Sequence, residues 1–216
     1  RLDFVIDEGL LITEGIMHGL QSPTALIGVA EKGYLSVVLK TSATPGHSSM
    51  PPPKGSSAIA MMSAALQRID DKQLPGAIRG VAGEMFATIA PEMSGFSRVA
   101  LSNLWLFGPL VQKQLEASAS TNAMLRTTTA LTIAHAGNKE NVLPGQAEAT
   151  VNFRLLPGDT RDQVVERTRA LVADATHNGK FELHALPGGP EASKVAPTAS
   201  AQYALINPPV REVFPR

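Results

Sequence analysis

The chain has 216 residues, with 19 Lys or Arg and 19 Asp or Glu, so its formal net charge is zero. Balanced charge without a basic run argues against nucleic acid or an anionic membrane surface as the main partner. The absence of cysteine excludes a disulfide scaffold and a Cys-ligated metal site. No apolar run approaches the roughly 20 residues of a membrane helix, so no membrane segment is expected.

The N-terminal quarter of the chain predicts strands and a stiff loop. Residues 4–6 and 25–29 are short apolar runs typical of strands. Tyr34–Lys40, rich in Val and Leu, predicts a longer strand that ends at Thr44-Pro45-Gly46. Three consecutive prolines at 51–53 exclude a helix in the loop that follows.

A helical region comes next. Ser56 or Ser57 can cap a helix, and the apolar residues at helical spacing predict its buried stripe as Ile59, Met62, Leu66 and Ile69. Residues 77–125 are more apolar and predict a helical insertion, which Pro91 and Gly95 divide.

The second half of the chain returns to strands. Residues 127–134 are β-branched and predict a strand, and the chain turns at 136–138. Residues 147–155 alternate between apolar and polar side chains, which predicts a strand with one buried and one wet face. Thr160 and Gln163 form a capping box for a further helix.

The C-terminal part predicts a last strand at 181–186, a linker rich in Pro, Gly, Ala and Ser at 187–202, and a helix at 203–214 that Pro208-Pro209 interrupts. With the insertion removed, the element order is β-α-β-β-α-β. This order predicts an α+β, ferredoxin-like fold: a four-stranded antiparallel sheet with two helices on one face.

Two groups of motifs carry a family resemblance. Glu31-Lys32-Gly33, a strand and Gly46-His47-Ser48-Ser49 resemble the start of the lid (dimerisation) domain in the aminoacylase/glutamate carboxypeptidase/carboxypeptidase S superfamily of dizinc hydrolases. Asn141-Val142-Leu143-Pro144 and Val151-Asn152-Phe153-Arg154 are similar to the later lid motif. Residues 101–107 and 126–132 resemble the branch that contains carboxypeptidase S and the mammalian N-fatty-acyl-amino-acid hydrolase.

This resemblance implies a function for the parent enzyme. In the family, a catalytic domain holds two zinc ions, and a metal-bridging water attacks the carbonyl of a peptide or N-acyl amino acid. Lids in this family often pair side by side through an edge strand and a helix, so the resemblance also implies a homodimer.

The resemblance assigns roles to individual residues. His47 matches the lid histidine that steadies the oxyanion, and Asp7 matches a carboxylate ligand of zinc. Arg154 and Asn141 match positions that hold or line the substrate, and Arg126 is a weaker candidate for its carboxylate. The sequence without the resemblance leaves another interpretation open for each residue. His47 is then an exposed loop histidine, Asp7 a turn aspartate and Asn141 a turn asparagine, and the two arginines are ordinary surface residues.

Most of the family's zinc ligands are missing from the chain. The family needs a His-x-Asp pair, a Glu-Glu pair and a late histidine, and the sequence contains neither pair. We therefore expect a chain that is inactive alone, binds no zinc by itself and has the missing catalytic domain as its partner. The expected domains are 1–30 (end of the catalytic domain and hinge), 31–186 (lid) and 187–216 (linker and truncated return to the catalytic domain).

Two other readings compete with a hydrolase lid. The first is a stand-alone ferredoxin-like module that binds a small ligand or regulates. The second is an RNA-binding sheet, which needs aromatic residues on its open face. The polar face of 147–155 carries Glu148, Thr150, Asn152 and Arg154 instead, which disfavours RNA.

Overall fold

The computed structural model describes residues 4–6, 12–14, 19–20, 22–175 and 180–213. The strands in chain order are β1 (Ile12–Thr13), β2 (Thr24–Ala25), β3 (Gly33–Ser42), β4 (Gly46–His47), β5 (Thr128–Ala136), β6 (Val142–Leu143), β7 (Gln146–Leu155) and β8 (Phe181–Ala185). The α-helices are α1 (Ala58–Asp71), α2 (Gly80–Ile89), α3 (Gly95–Ser102), α4 (Leu104–Glu116), α5 (Ala119–Leu125), α6 (Arg161–Ala175), α7 (Ala201–Ala204) and α8 (Asn207–Val213). A 3-10 helix, Ala90–Glu92, follows α2.

The described chain forms two compact units. The first unit takes in residues 1–31, 76–125 and 194–216, and the second takes in residues 32–75 and 126–193. No helix among the described residues is long and apolar enough to cross a membrane.

The second unit contains a four-stranded sheet. Its strand order is β5-β7-β3-β8, and every neighbouring pair is antiparallel. Helix α1 packs against β3, β5 and β7, and α6 packs against α1 and β8. An α+β architecture with a four-stranded antiparallel sheet is therefore confirmed.

The core of this unit follows from strand alternation. Every second side chain of β3 and β7 points to the helices, and these buried residues are Leu35, Val37, Leu39, Ala147, Ala149, Val151, Phe153 and Leu155. Helices α1 and α6 complete the core with Met62, Ile69, Val164 and Val172. The prediction of one buried face for 147–155 is confirmed, although Thr150 on the other face is also buried.

Local capping predictions are confirmed at both helices. The Ser57 hydroxyl accepts from the Ala60 N–H at 3.3 Å at the start of α1. At α6, the Thr160 N–H donates to Gln163 Oε1 at 3.2 Å, and the Gln163 N–H donates to Thr160 Oγ1 at 3.3 Å. These bonds satisfy N–H groups that a helix start leaves without partners.

The buried stripe of α1 differs from the predicted one. It consists of Ala58, Met62, Ala65 and Ile69, while Ile59 is 47% exposed. The small side chains of the two alanines let the helix lie close to the sheet, so the stripe is rotated from the one that side-chain size predicts.

The first unit is mainly helical. Its core is formed by Ala82, Phe86, Ile89 and Leu125, and helix α2 matches the helix predicted there. The predicted strand at 4–6 is wrong, because those residues lie outside any strand. Pro208 and Pro209 lie in the first turn of α8, where proline is tolerated, so the predicted interruption falls before them at Leu205–Ile206.

Candidate active-site residues

A short two-stranded ladder in the second unit carries His47. Strand β4 pairs with β6, with Gly46 opposite Leu143 and His47 opposite Val142. The Ser48 N–H then donates to the carbonyl of Asn141 at 3.0 Å. The preceding strand, β3, ends at Ser42, Pro45 lies between β3 and β4, and the prolines at 51–53 stiffen the chain beyond β4. This backbone arrangement brings His47 and Asn141 together, although they are far apart in the sequence.

The His47 side chain is exposed and contacts its own loop. Its Nδ1 atom lies 2.8 Å from the Ser49 hydroxyl and accepts from the Ser49 backbone N–H at 3.2 Å. A reverse turn, closed by the Met50 N–H on the carbonyl of His47 at 3.1 Å, holds Ser49 in place. The ring is therefore held on one edge and presents its other edge to solvent.

Arg154 lies at the other end of the sheet. Its Cα is paired with Tyr34 on β3 and Thr128 on β5, and its guanidinium carbon is 4.8 Å from the centre of the Tyr34 ring. This cation–π contact orients an exposed guanidinium. Along β7, Arg154 is eight residues from Gln146, which lies at the His47 end, so about 26 Å of strand separates the two ends at roughly 3.3 Å per residue.

Lys32 and Arg126 lie just before the strands that pair with β7 at the Arg154 end of the sheet. The half-buried Lys32 donates from Nζ to the carbonyl of Arg126 at 3.0 Å. Burial, and then the charge of Arg154, lower the pKa of Lys32 to about 8, while Asp159 opposes the shift. The Arg126 guanidinium donates to the carbonyl of Leu74 at 3.0 Å. This end of the sheet therefore concentrates positive charge.

A row of charged groups crosses the open face of the sheet at the His47 end. His135, Glu148, Lys40 and Glu182 face one another in register on the four strands. Lys40 Nζ is 2.9 Å from the Glu148 carboxylate. Their hydrogen bond raises the pKa of Lys40 and lowers the pKa of Glu148. The row lines an open groove of about 810 Å³.

Comparison with known proteins identifies the family of the chain. The family model described as "Peptidase dimerisation domain" matches residues 29–180. The chain belongs to the M20 peptidase dimerisation domain family. The M20 name itself occurs in a similar solved structure, an M20 family metallo-carboxypeptidase, Sso-CP2, from Sulfolobus solfataricus.

Curated relatives cover this M20 chain from end to end. It is 40% identical over 220 residues to the N-fatty-acyl-amino acid synthase/hydrolase PM20D1 of Mus musculus, covering 100% of this chain and 42% of the relative. It is 33% identical over 214 residues to the probable carboxypeptidase S-like 2 of Dictyostelium discoideum, covering 99% of this chain and 40% of the relative. The chain thus spans about two fifths of the length of these relatives.

Solved structures share the fold at low identity. Sso-CP2 superposes with a TM-score of 0.54 and 16% identity, covering 87% of this chain and 44% of that chain. Human carnosine dipeptidase 1 gives a TM-score of 0.53 at 12% identity, covering 87% of this chain and 43% of that chain.

The positions of the predicted site residues in this M20 domain fall into three groups. His47 and Asn141 lie together at one end of the sheet, and Arg154 lies at the other end. Asp7 lies outside the described residues, so its role as a zinc ligand stays a prediction. Within the described ranges, no three His, Cys, Asp or Glu side chains come together as metal ligands do.

Sequence reasoning did not single out Ser49 and Lys32 as functional. Ser49 holds the His47 ring, and Lys32 lies beside Arg154. Both residues belong to the motifs that carry the family resemblance, so the signal was present. Their partners are set by a turn and by strand pairing, which the motifs alone do not show.

Proposed function

We propose that this chain is the lid and dimerisation domain of a zinc-dependent hydrolase that cleaves peptide or N-acyl amino-acid amide bonds. The observation that carries the proposal is the exposed imidazole of His47 on a stiffened loop, held on one ring edge only. The strand order of the sheet supports a ferredoxin-like fold for the domain. The names of the relatives support an amide bond in an acylated amino acid as the target.

The role proposed for His47 is to stabilise negative charge. When water attacks an amide carbonyl, the carbonyl oxygen becomes an oxyanion, and a fixed N–H donor stabilises it more than it stabilises the substrate. Loss of one such donor lowers kcat by about 100- to 1,000-fold. The zinc ions would activate the water, and we propose that the catalytic domain binds them.

The role proposed for Arg154 and Asn141 is to bind the substrate. A guanidinium binds a carboxylate through two parallel hydrogen bonds, and the Arg154 guanidinium lies 4.8 Å from the centre of the Tyr34 ring. The backbone carbonyl of Asn141 accepts from the Ser48 N–H beside His47, so we propose that the Asn141 side chain contacts the substrate at that end of the sheet. Lys32 adds positive charge near Arg154, which favours an anionic substrate.

The separation of His47 from Arg154 supports a homodimer. About 26 Å of strand divides them, which is longer than a small acylated amino acid needs for its reacting carbonyl and carboxylate. If both residues act on one substrate molecule, two copies of the domain supply them. The edge strand β5 offers a pairing surface, with Leu131 and Ile133 at 43% and 49% exposure.

The test uses a product of the same gene that includes the proposed catalytic domain, assayed with zinc on N-acyl amino acids and dipeptides. His47→Asn should lower kcat with little change in KM, and Arg154→Met should raise KM. The 216-residue chain alone should show no hydrolysis. Full activity of His47→Asn would contradict the proposal.

Mixing the two variants tests the homodimer. If each site takes His47 from one copy and Arg154 from the other, an equal mixture of both variants should recover about a quarter of wild-type activity, since half of the randomly formed dimers contain one intact site. Native mass spectrometry shows whether the mixture exchanges subunits. If it does and no activity is recovered, each site takes both His47 and Arg154 from the same copy.

The groove at the His47 end supports a second candidate, a stand-alone module that binds a small ligand. Its lining of Lys40, Glu148 and His135 offers both donors and acceptors. Thermal-shift screening of the 216-residue chain against amino acids and N-acyl amino acids tests it. A saturable shift that Glu148→Gln abolishes, in a gene product without zinc-dependent activity, would favour this function.

A further inference from the structure

The two hydrogen bonds at one edge of the His47 ring bear on where its proton resides. A neutral imidazole carries a hydrogen on either Nδ1 or Nε2, and the other nitrogen is then an acceptor. A backbone N–H group can only donate. Since the Ser49 N–H points at Nδ1 from 3.2 Å, this nitrogen has to act as the acceptor.

The Ser49 hydroxyl reinforces the same choice. It lies 2.8 Å from Nδ1, and a hydroxyl adapts by donating to a nitrogen that already accepts. The turn that the Met50 N–H closes on the His47 carbonyl keeps the hydroxyl and the backbone N–H of Ser49 beside the ring. The geometry is therefore built from the loop itself and needs no bound ligand.

We propose that Ser49 is a positioning residue that fixes His47 in the tautomer with its hydrogen on Nε2. That N–H then lies on the ring edge away from Ser49 and points out of the loop. The purpose of this arrangement rests on the proposed function, in which an oxyanion needs a donor at that position. With the other tautomer, the outer nitrogen would have a lone pair and would repel the oxyanion.

Long-range ¹H–¹⁵N correlation spectra of the histidine side chains test the tautomer directly. The protein is the 216-residue chain labelled with ¹⁵N-histidine, at a pH where the rings are neutral, and His47→Gln assigns the His47 signals among the five histidines. Wild-type His47 should show a protonated Nε2 and an unprotonated Nδ1. A mixture of both tautomers, or hydrogen on Nδ1, would overturn the proposal.

Three variants separate the hydroxyl of Ser49 from general effects of the loop. Ser49→Ala keeps the backbone donor but loses the hydroxyl, so the ratio of the Nδ1–H to the Nε2–H form should rise about fivefold, the effect of one net hydrogen bond. Ser49→Thr should restore the wild-type spectrum. Ser48→Ala, the matched control, should leave the His47 signals unchanged, because Ser48 contacts Asn141 through its backbone.

Ser49→Asp should reverse the tautomer of His47. Its carboxylate can only accept, so it should draw the hydrogen to Nδ1. Unchanged His47 signals in both Ser49→Ala and Ser49→Asp would overturn the role of Ser49. The spectra need no catalytic activity. If they show the expected tautomer and His47→Asn still retains full activity in the longer gene product, then the proposed function fails while the tautomer assignment stands.

Discussion

Thr127→Val tests how the loop before α6 is tied to the start of β5. The Thr127 side chain is 1% exposed, donates to Asp159 Oδ2 at 2.5 Å and accepts from the Leu156 N–H at 2.8 Å. Valine has nearly the same shape, so the change removes both hydrogen bonds and creates no cavity. The variant therefore isolates the energetics of one buried hydroxyl.

The expected loss follows from the two partners of Thr127. Leaving one buried N–H without an acceptor costs about 1 to 3 kcal/mol, and a hydrogen bond to a charged group contributes about 1.5 to 3 kcal/mol. Asp159 is half-buried, so water replaces part of its lost bond. We expect the free energy of unfolding to fall by about 2 to 4 kcal/mol.

Thr132→Val is the matched control for this experiment. Thr132 is exposed, and its hydroxyl donates to the carbonyl of Thr150 at 3.2 Å on the irregular part of β5. The same chemical change there should cost less than about 0.5 kcal/mol.

Urea unfolding followed by far-UV circular dichroism gives the free energies. Equal losses in Thr127→Val and Thr132→Val would refute the reasoning that burial of Thr127 makes its hydrogen bonds matter.

Three further predictions concern Lys32, two glycines and the edge strand. Since the pKa of Lys32 is lowered from 10.5 to about 8, the unfolded chain binds more protons between these values, and stability should rise with pH through this window. Lys32→Met should remove that rise in urea titrations while exposed Lys54→Met keeps it. Gly33→Ala should destabilise the domain, because the added Cβ would lie 2.5 Å from the Ala192 backbone nitrogen. Gly83→Ala inside α2 should instead stabilise the chain by about 0.5 to 1 kcal/mol. Thermal unfolding measures both effects. Ile133→Lys on β5 should lower the dimer fraction in analytical ultracentrifugation, and an unchanged fraction would place the interface elsewhere.

Local patterns in the sequence predicted much of the fold. The alternation at 147–155 gave a strand with the correct buried face, and the Thr160–Gln163 box gave the start of α6. These signals depend on neighbours along the chain, so they can be recognised without knowledge of the tertiary structure. The buried stripe of α1 was less predictable, because the sheet surface decides whether Ile59 or the smaller Ala58 faces inward.

The candidate site also combines features that the sequence predicts with features that only the structure shows. The sequence by itself determined which residue types are available: a histidine in a Pro-Gly loop, an Asn-Val-Leu-Pro segment, and an arginine on the polar side of a strand. The hydrogen bonds from Ser49 to the His47 ring, in contrast, depend on a reverse turn that only the structure shows.

Only the tertiary structure decided which of these residues meet. His47 and Asn141 are distant in sequence but share a backbone hydrogen-bond ladder, whereas Arg154 follows Asn141 closely and still lies at the opposite end of the sheet. The physical reason is that an extended strand moves the chain about 3.3 Å per residue away from its start, while pairing between strands joins residues regardless of their separation along the chain.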